Sequence, residues 1–367
     1  MTSMVPKLGQ TELSEKELEY YSRQIVLADI GYNAQLRLKD AKACLVGLGG
    51  LGSPTAIQLA TIGVGHLRLV DRDFVELSNL QRQHLYGVDD VGYPKVEIAA
   101  KRLQSLNPYI EIDPVPLSIN EDNAEDIIKG MDVVIDGLDR MAARYAINRA
   151  CVKLGIPYVF AAAVATIGNV STIIPGETPC LECFYGNLVD DKLPKCAVVG
   201  VHPSLLGVIA SVGVSEGIRI LIGKQPRLVN KLLYCDIGHV EFNEVQVSKV
   251  EECPVCGSKP SGSPMPIERE LVEEICGRGG KKVFAIVPKK NLEINISDLL
   301  DYLEKKGFNI KVKARLGITF DYENKVIASI LKSGIMIVEG AKEKEEALNL
   351  FNDIIVNRLD IPKSFIG

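Results

Sequence analysis

The apolar run at residues 43–46 enters Gly47-Leu48-Gly49-Gly50-Leu51-Gly52, and a helical run over 55–62 leads from there to a second strand-like stretch at 66–70. Two parallel strands need a crossover, and a glycine turn lets the crossover helix start tightly against the strand, so this order of elements reads as a βαβ unit in a parallel sheet. Such a turn also suits a polyphosphate. Glycines admit a close ligand, and the helix N-terminus offers free N–H groups and the positive end of its dipole. Taken alone, the loop equally reads as a tight turn with no ligand.

The rhythm continues with a helix over 95–105, a strand at 110–115, a helix over 123–129, a strand at 132–136, a helix over 142–154 and a buried strand at 157–161. Residues 168–175 and 231–247 alternate apolar and polar, as antiparallel strands do. Ahead of the first strand, an amphipathic helix over 15–27 and a second over 33–38 form a cap. Residues 258–266 carry three prolines and one glycine, which is linker composition. The expected organisation is an α/β domain over 1–257 with a mixed, mainly parallel sheet, the linker 258–266, and a small α+β domain over 267–367. That last part reads as a strand at 282–287, a helix over 296–305, strands within 310–338 and a final helix over 342–359.

Several classes are disfavoured by composition. A net charge of -5 argues against a general nucleic-acid binder, which needs a basic excess. No apolar run reaches the ~20 residues of a membrane span, so the expected compartment is the cytoplasm. Nine cysteines there point to thiols, metal or catalysis rather than disulfides.

Asp71 closes the second strand, where an acid holds ribose hydroxyls. Asp73, Asn79, Arg82, Gln83 and Lys95 follow, a polar and basic set suited to a triphosphate; a dinucleotide oxidoreductase would want an apolar shelf there. Arg82 and Lys95 can neutralise a departing pyrophosphate. Asp139, just past another strand end, is the candidate ligand for Mg²⁺, with a helix N-cap as its ordinary alternative, and the two roles can be split with Asp136. Cys180-Leu-Glu-Cys183 and Cys253-Pro-Val-Cys256 supply four thiolates for a closed tetrahedral Zn²⁺, which is structural because no position is left for substrate. Cys44 and Cys151 read as buried and inert. Cys196, in a loop beside Lys195, reads either as a nucleophile or as an incidental thiol.

In order, Tyr21-Ser-Arg23-Gln24, the glycine loop, Asp71-x-Asp73, Ser78-Asn-Leu-Gln-Arg-Gln83, Gly92-Tyr-Pro-Lys95, Asp139 with Arg144 and Asn148, Cys196 and both cysteine pairs resemble the E1-like activating family. That family includes sulfur-carrier adenylyltransferases and the activating enzymes of ubiquitin-like modifiers. The resemblance covers roughly residues 20–257. It implies a Rossmann-like homodimer that uses ATP and Mg²⁺ to adenylate the terminal glycine of a small β-grasp carrier or ubiquitin-like protein ending in Gly-Gly. It further implies Asp71 on ribose, Arg82 and Lys95 on phosphates, Asp139 on the metal, and Arg23 reaching the partner subunit's nucleotide. Cys196 aligns with a cysteine that forms a thioester or sulfur-linked intermediate in some members and is dispensable in others, where an external persulfide acts. A non-catalytic scaffold is the other reading. Arg140 departs from the Asn usual after the acid. The last domain shows no rhodanese-like loop, and its expected role is docking of an acceptor or conjugating protein, or a purely structural one.

Overall fold

The computed structural model describes residues 12–190, 199–267, 269–278, 281–323, 326–359 and 365. Eight strands build the first sheet: β1 (Lys42–Val46), β2 (His66–Val70), β3 (Glu111–Val115), β4 (Val133–Asp136), β5 (Tyr158–Val164), β6 (Ile167–Ile173), β7 (Lys231–Asp236) and β8 (Glu241–Gln246). Their order is β3-β2-β1-β4-β5-β6-β7-β8. The first five are parallel and the last three join antiparallel, so the sheet is mixed and mainly parallel. Chain order reverses on the two sides of β1, which opens a crevice at the carboxyl ends of β1 and β4, the place where such sheets bind ligands.

Both faces of the central strands are covered, which is why Ala43-Cys44-Leu45-Val46 and Val133-Val134-Ile135 are continuous apolar runs rather than alternating ones. The helix Pro203–Leu221 lies against β4, β5 and β6 and buries Leu205, Ile209 and Ile218. Among the described residues it is the one helix long and apolar enough to cross a membrane, and in this fold it is a core helix.

At the N-terminus the single helix expected over 15–27 is two, Glu15–Tyr20 and Ser22–Ile25. The break is at Tyr21, whose buried ring lies under Gly63 and whose hydroxyl accepts from Asn107 at 2.8 Å. Holding that ring in place takes precedence over a continuous helix.

The second sheet is antiparallel throughout, in the order β11-β12-β13-β14-β10-β9. Its strands are β9 (Val272–Arg278), β10 (Lys281–Ile286), β11 (Asn309–Lys313), β12 (Gly317–Asp321), β13 (Ile327–Leu331) and β14 (Met336–Glu339). The helices Ile296–Lys305 and Lys344–Phe351 cover one face, where Leu299, Leu303 and Phe351 meet Phe284, Ile318 and Phe320. The expected terminal helix gives way after Phe351 to a wider turn over Asn352–Val356.

The opposite face of this sheet takes a side chain from the first domain. Phe74, four residues past the end of β2 and two past its Asp71-Arg72 turn, inserts among Val283, Ala285, Val287, Leu331, Ile335 and Ile337. Polar contacts flank it. The Glu97 carboxylate accepts from the backbone N–H of Arg315 (3.0 Å) and Leu316 (2.7 Å), and Thr319 Oγ1 donates to the Gly92 carbonyl (2.8 Å). A Cβ at Gly317 would stand 2.9 Å from the Ile330 carbonyl and press on Pro94 (3.0 Å) and Phe74 (3.2 Å). The segment that follows β2 therefore supplies the apolar contact between the two domains.

Candidate nucleotide cleft and metal centre

At the crevice above β1, Gly47 takes φ +90° and its α-carbon faces the Gly137 carbonyl, where a Cβ would stand 2.5 Å from that oxygen. At Gly52 a Cβ would lie 1.9 Å from the Gly47 carbonyl, so the first and last glycines let the loop close on itself and on the end of β4. Gly49 and Gly50 line the cleft beside it. The cleft has a volume of about 1800 Å³ and contains most of the residues singled out in the sequence: Asp71, Asp73, Asn79, Arg82, Gln83, Lys95 and Asp139.

Asp71 has a double role in shaping the loop. One carboxylate oxygen accepts from Leu48 N–H at 2.6 Å and the other from Asp73 N–H at 2.7 Å, which ties the end of β2 to the glycine turn. Each oxygen has a second lone pair for a ribose hydroxyl. Lys95, buried at the start of the helix Lys95–Leu106, donates to Asp73 Oδ2 at 2.9 Å. Burial disfavours its ammonium, but Asp73 and Asp71 outweigh that and push its pKa up to about 12. Lys95 therefore carries a full positive charge in the cleft.

Asn79 and Gln83 are buried on the turn that carries Arg82. Arg82 donates to the Ser78 carbonyl at 2.9 Å and lines the cleft. Gln83 Oε1 is buried without a partner, and its amide nitrogen faces Gly49 across the cleft floor. An unpaired buried acceptor of this kind fits a site meant to be filled by a polar ligand.

Asp139 is exposed at the cleft wall, as a ligand to phosphate-bound Mg²⁺ needs to be. It does not cap the following helix. Asp190, from a distant loop, accepts from Met141 N–H (2.6 Å) and Ala142 N–H (3.2 Å) and takes that role. Asp136, fully buried, binds Arg144 at 3.1 Å and the Tyr158 hydroxyl at 2.5 Å. Arg144 also donates to the carbonyls of Leu138 and Ala161, so the pair braces the cleft wall from behind.

Arg140, the departure noted in the sequence, has a partner that the sequence does not reveal. Both Arg140 and Arg72 donate to the same oxygen of Glu273 on β9, Arg72 at 2.7 Å. Strand β9, an addition to the strands expected from the sequence, brings Glu273 and Glu274 to the cleft wall. Arg23 is exposed on the helix Ser22–Ile25 and does not line this cleft. Cys196 lies outside the described residues.

The two cysteine pairs converge. The four sulfurs of Cys180, Cys183, Cys253 and Cys256 lie within 4.8 Å of one another, with Cys180–Cys253 at 3.7 Å and Cys183–Cys256 at 3.4 Å. Tetrahedral Zn–S bonds of ~2.3 Å place sulfurs ~3.8 Å apart, so the donor set fits zinc. Behind it, Asn148 accepts from Leu181 N–H at 3.0 Å and donates to Glu182, while Arg149 binds Glu182 at 2.7 Å. Asn148 thus braces the cysteine knuckle. Cys44, Cys151 and Cys235 are buried in strands and a helix, and burial pushes all three thiols up.

The ThiF family model matches residues 21–255. The chain belongs to the ThiF family. This ThiF-family chain is 38% identical to the sulfur carrier protein adenylyltransferase of Thermus thermophilus, over 72% of its own length and 98% of that protein. It is 37% identical to the SAMP-activating enzyme E1 of Haloferax volcanii, over 67% of its length and 91% of the relative. Its fold matches the crystal structure of Escherichia coli MccB with ATP at a TM-score of 0.58 and 25% identity, covering 69% and 77% of the two chains. It is an E1-like, ATP-using adenylyltransferase with a cysteine cluster suited to zinc.

Proposed function

We propose that this chain adenylates the C-terminal glycine carboxylate of a small β-grasp protein ending in Gly-Gly, a sulfur carrier or a ubiquitin-like modifier. The observation that carries this reading is the meeting of the glycine loop, Asp71, Lys95, Arg82 and Asp139 in one cleft at the carboxyl edge of the sheet. The relatives' names give the substrate class, since one acts on a sulfur carrier and another activates SAMP.

In the step itself a carboxylate oxygen of the carrier attacks the α-phosphorus of ATP. The bond from that phosphorus to the bridging oxygen breaks, and pyrophosphate leaves with the electron pair. No protein nucleophile takes part, so positioning and charge do the work. Asp71 holds the ribose; Lys95 and Arg82 lie against the phosphates, whose negative charge grows on the leaving group. Mg²⁺ would be held by Asp139 and would neutralise phosphate oxygens. Zinc would be held by the four cysteines, as a structural tie with no role in the step.

Arg23, exposed and away from its own cleft, supports a homodimer in which each chain completes its partner's site. For the acyl adenylate two fates stay in view: transfer to Cys196 as a thioester, or attack by an external persulfide. ATP–pyrophosphate exchange is the decisive assay, with purified chain and small Gly-Gly β-grasp proteins of the same source. Absence of carrier-dependent exchange with all of them defeats the reading. A reducible carrier adduct on gels that disappears in Cys196→Ala supports the thioester; exchange without any adduct supports external sulfur.

A further inference from the structure

The nucleotide cleft has a wall that the adenylation domain does not provide. Arg72 directly follows Asp71 at the end of β2, and Arg140 directly follows Asp139 beyond β4. The two loops flank the glycine turn. With ribose on Asp71 and phosphates at the glycine loop, the base must lie between the loops after β2 and β4, the arrangement general to such sheets. Arg72 and Arg140 come from those two loops and meet at the cleft wall. One carboxylate oxygen of Glu273, from the edge strand of the other domain, joins them. Arg72 also donates to Ser118 Oγ at 3.1 Å in the loop after β3, so three loops of the sheet's carboxyl edge are tied to β9.

We propose that Glu273 with Arg72 and Arg140 forms a roof over the adenosine end of the cleft, making the last domain part of the ATP site. This rests on the nucleotide reading given above. A guanidinium fixed in plane by a shared carboxylate presents a flat cationic face, which stacks well on a purine. Glu273 and Arg72 have side chains only 17% and 16% exposed, against 42% for Arg140. Burial would favour a neutral Glu273, but the two arginines hold its carboxyl below the usual range. A docking contact alone needs none of this. The domains are already joined by Phe74 against β10, β13 and β14 and by Glu97 and Thr319 at β12, and the shared carboxylate is placed at the cleft instead.

Here Glu273 is a positioning residue, acting through the arginines that meet the base. The test is direct binding, by calorimetry and without any carrier, of the α,β-methylene analogue of ATP to the full chain with Mg²⁺. It is run on wild type, Glu273→Gln and Arg140→Ala, with inorganic tripolyphosphate as a probe lacking base and ribose. The expected result is about ten-fold weaker analogue binding in both variants, on the order of one charge-assisted contact. Tripolyphosphate affinity and zinc content should not change. Equal analogue affinity in wild type and both variants overturns the roof while leaving the nucleotide reading intact. So does tighter binding, which would mean that Glu273 merely neutralises two phosphate-binding arginines. Parallel loss of analogue and tripolyphosphate affinity also overturns it, by showing general loosening. No binding of the analogue to wild type overturns both readings.

Discussion

Replacing Phe74 by alanine separates a docked domain from one merely appended. The ring is 2% exposed and is surrounded by six apolar side chains of the second sheet. A buried phenylalanine removes ~150–250 Å² from water, which at ~25 cal/mol per Å² is ~4–6 kcal/mol. The transfer of the remaining alanine methyl reduces this, and Phe→Ala changes in cores cost about 3–5 kcal/mol. This side chain belongs to one domain and its socket to the other. The loss therefore falls on their docking rather than on either core, and 3 kcal/mol is roughly a hundred-fold in that equilibrium. Urea unfolding should show a lower first midpoint, and hydrogen exchange should rise over β10 and β14. Protease should cut earlier between residues 258 and 266. An unchanged midpoint, to within ~0.5 kcal/mol, the scatter of ordinary surface substitutions, together with unchanged cleavage would refute the assignment of Phe74 as the connection.

Asp139→Asn should abolish most ATP–pyrophosphate exchange, by ~10²-fold or more for a lost charge in the transition state, while thermal stability stays near wild type because the side chain is exposed and caps nothing. Metal analysis of wild type should give about one zinc per chain, and Cys180→Ser should lose the metal and unfold, as read by circular dichroism; a folded, active variant without zinc would contradict a structural role. The Glu273 carboxyl is depressed below its ordinary 4.5 in the folded chain. Its contribution is therefore present above pH 4.5 and lost as pH falls through the folded value. The melting-temperature gap between wild type and Glu273→Gln should be full above that pH and close below it.

Sequence reveals local and metal-directed features well. The glycine turn is legible because strand, loop and helix are contiguous, and the cysteine pairs because two local knuckles complete one ion's coordination. The cleft residues follow from strand ends, since parallel sheets place ligands there. What stayed hidden acts across distance. The Arg140–Glu273 pair spans 133 positions, so an odd arginine is visible and its partner is not. Strand β9 carries no sequence signal because adjacent Glu273 and Glu274 break the alternation by which strands are recognised; one is turned into an ion pair in the cleft. Asp190 as the cap of Met141–Leu154 left no local signal, because capping patterns are sought within a few residues. Asn148 stands in the resemblance beside Asp139 and Arg144, and its contact with the cysteine knuckle, 33 positions on, leaves no local signal.

The helix Met141–Leu154 links these two regions. Its first turn follows Asp139 and carries Arg144, bound to Asp136 at the base of the cleft; further along, Asn148 and Arg149 grip the backbone and carboxylate beside Cys180 and Cys183. At ~1.5 Å per residue the rod between the two grips is short and stiff. An ion completing the cysteine cluster would thus work as a distant fixture for the nucleotide cleft: without it, the stave carrying Arg144 would lose its far anchorage.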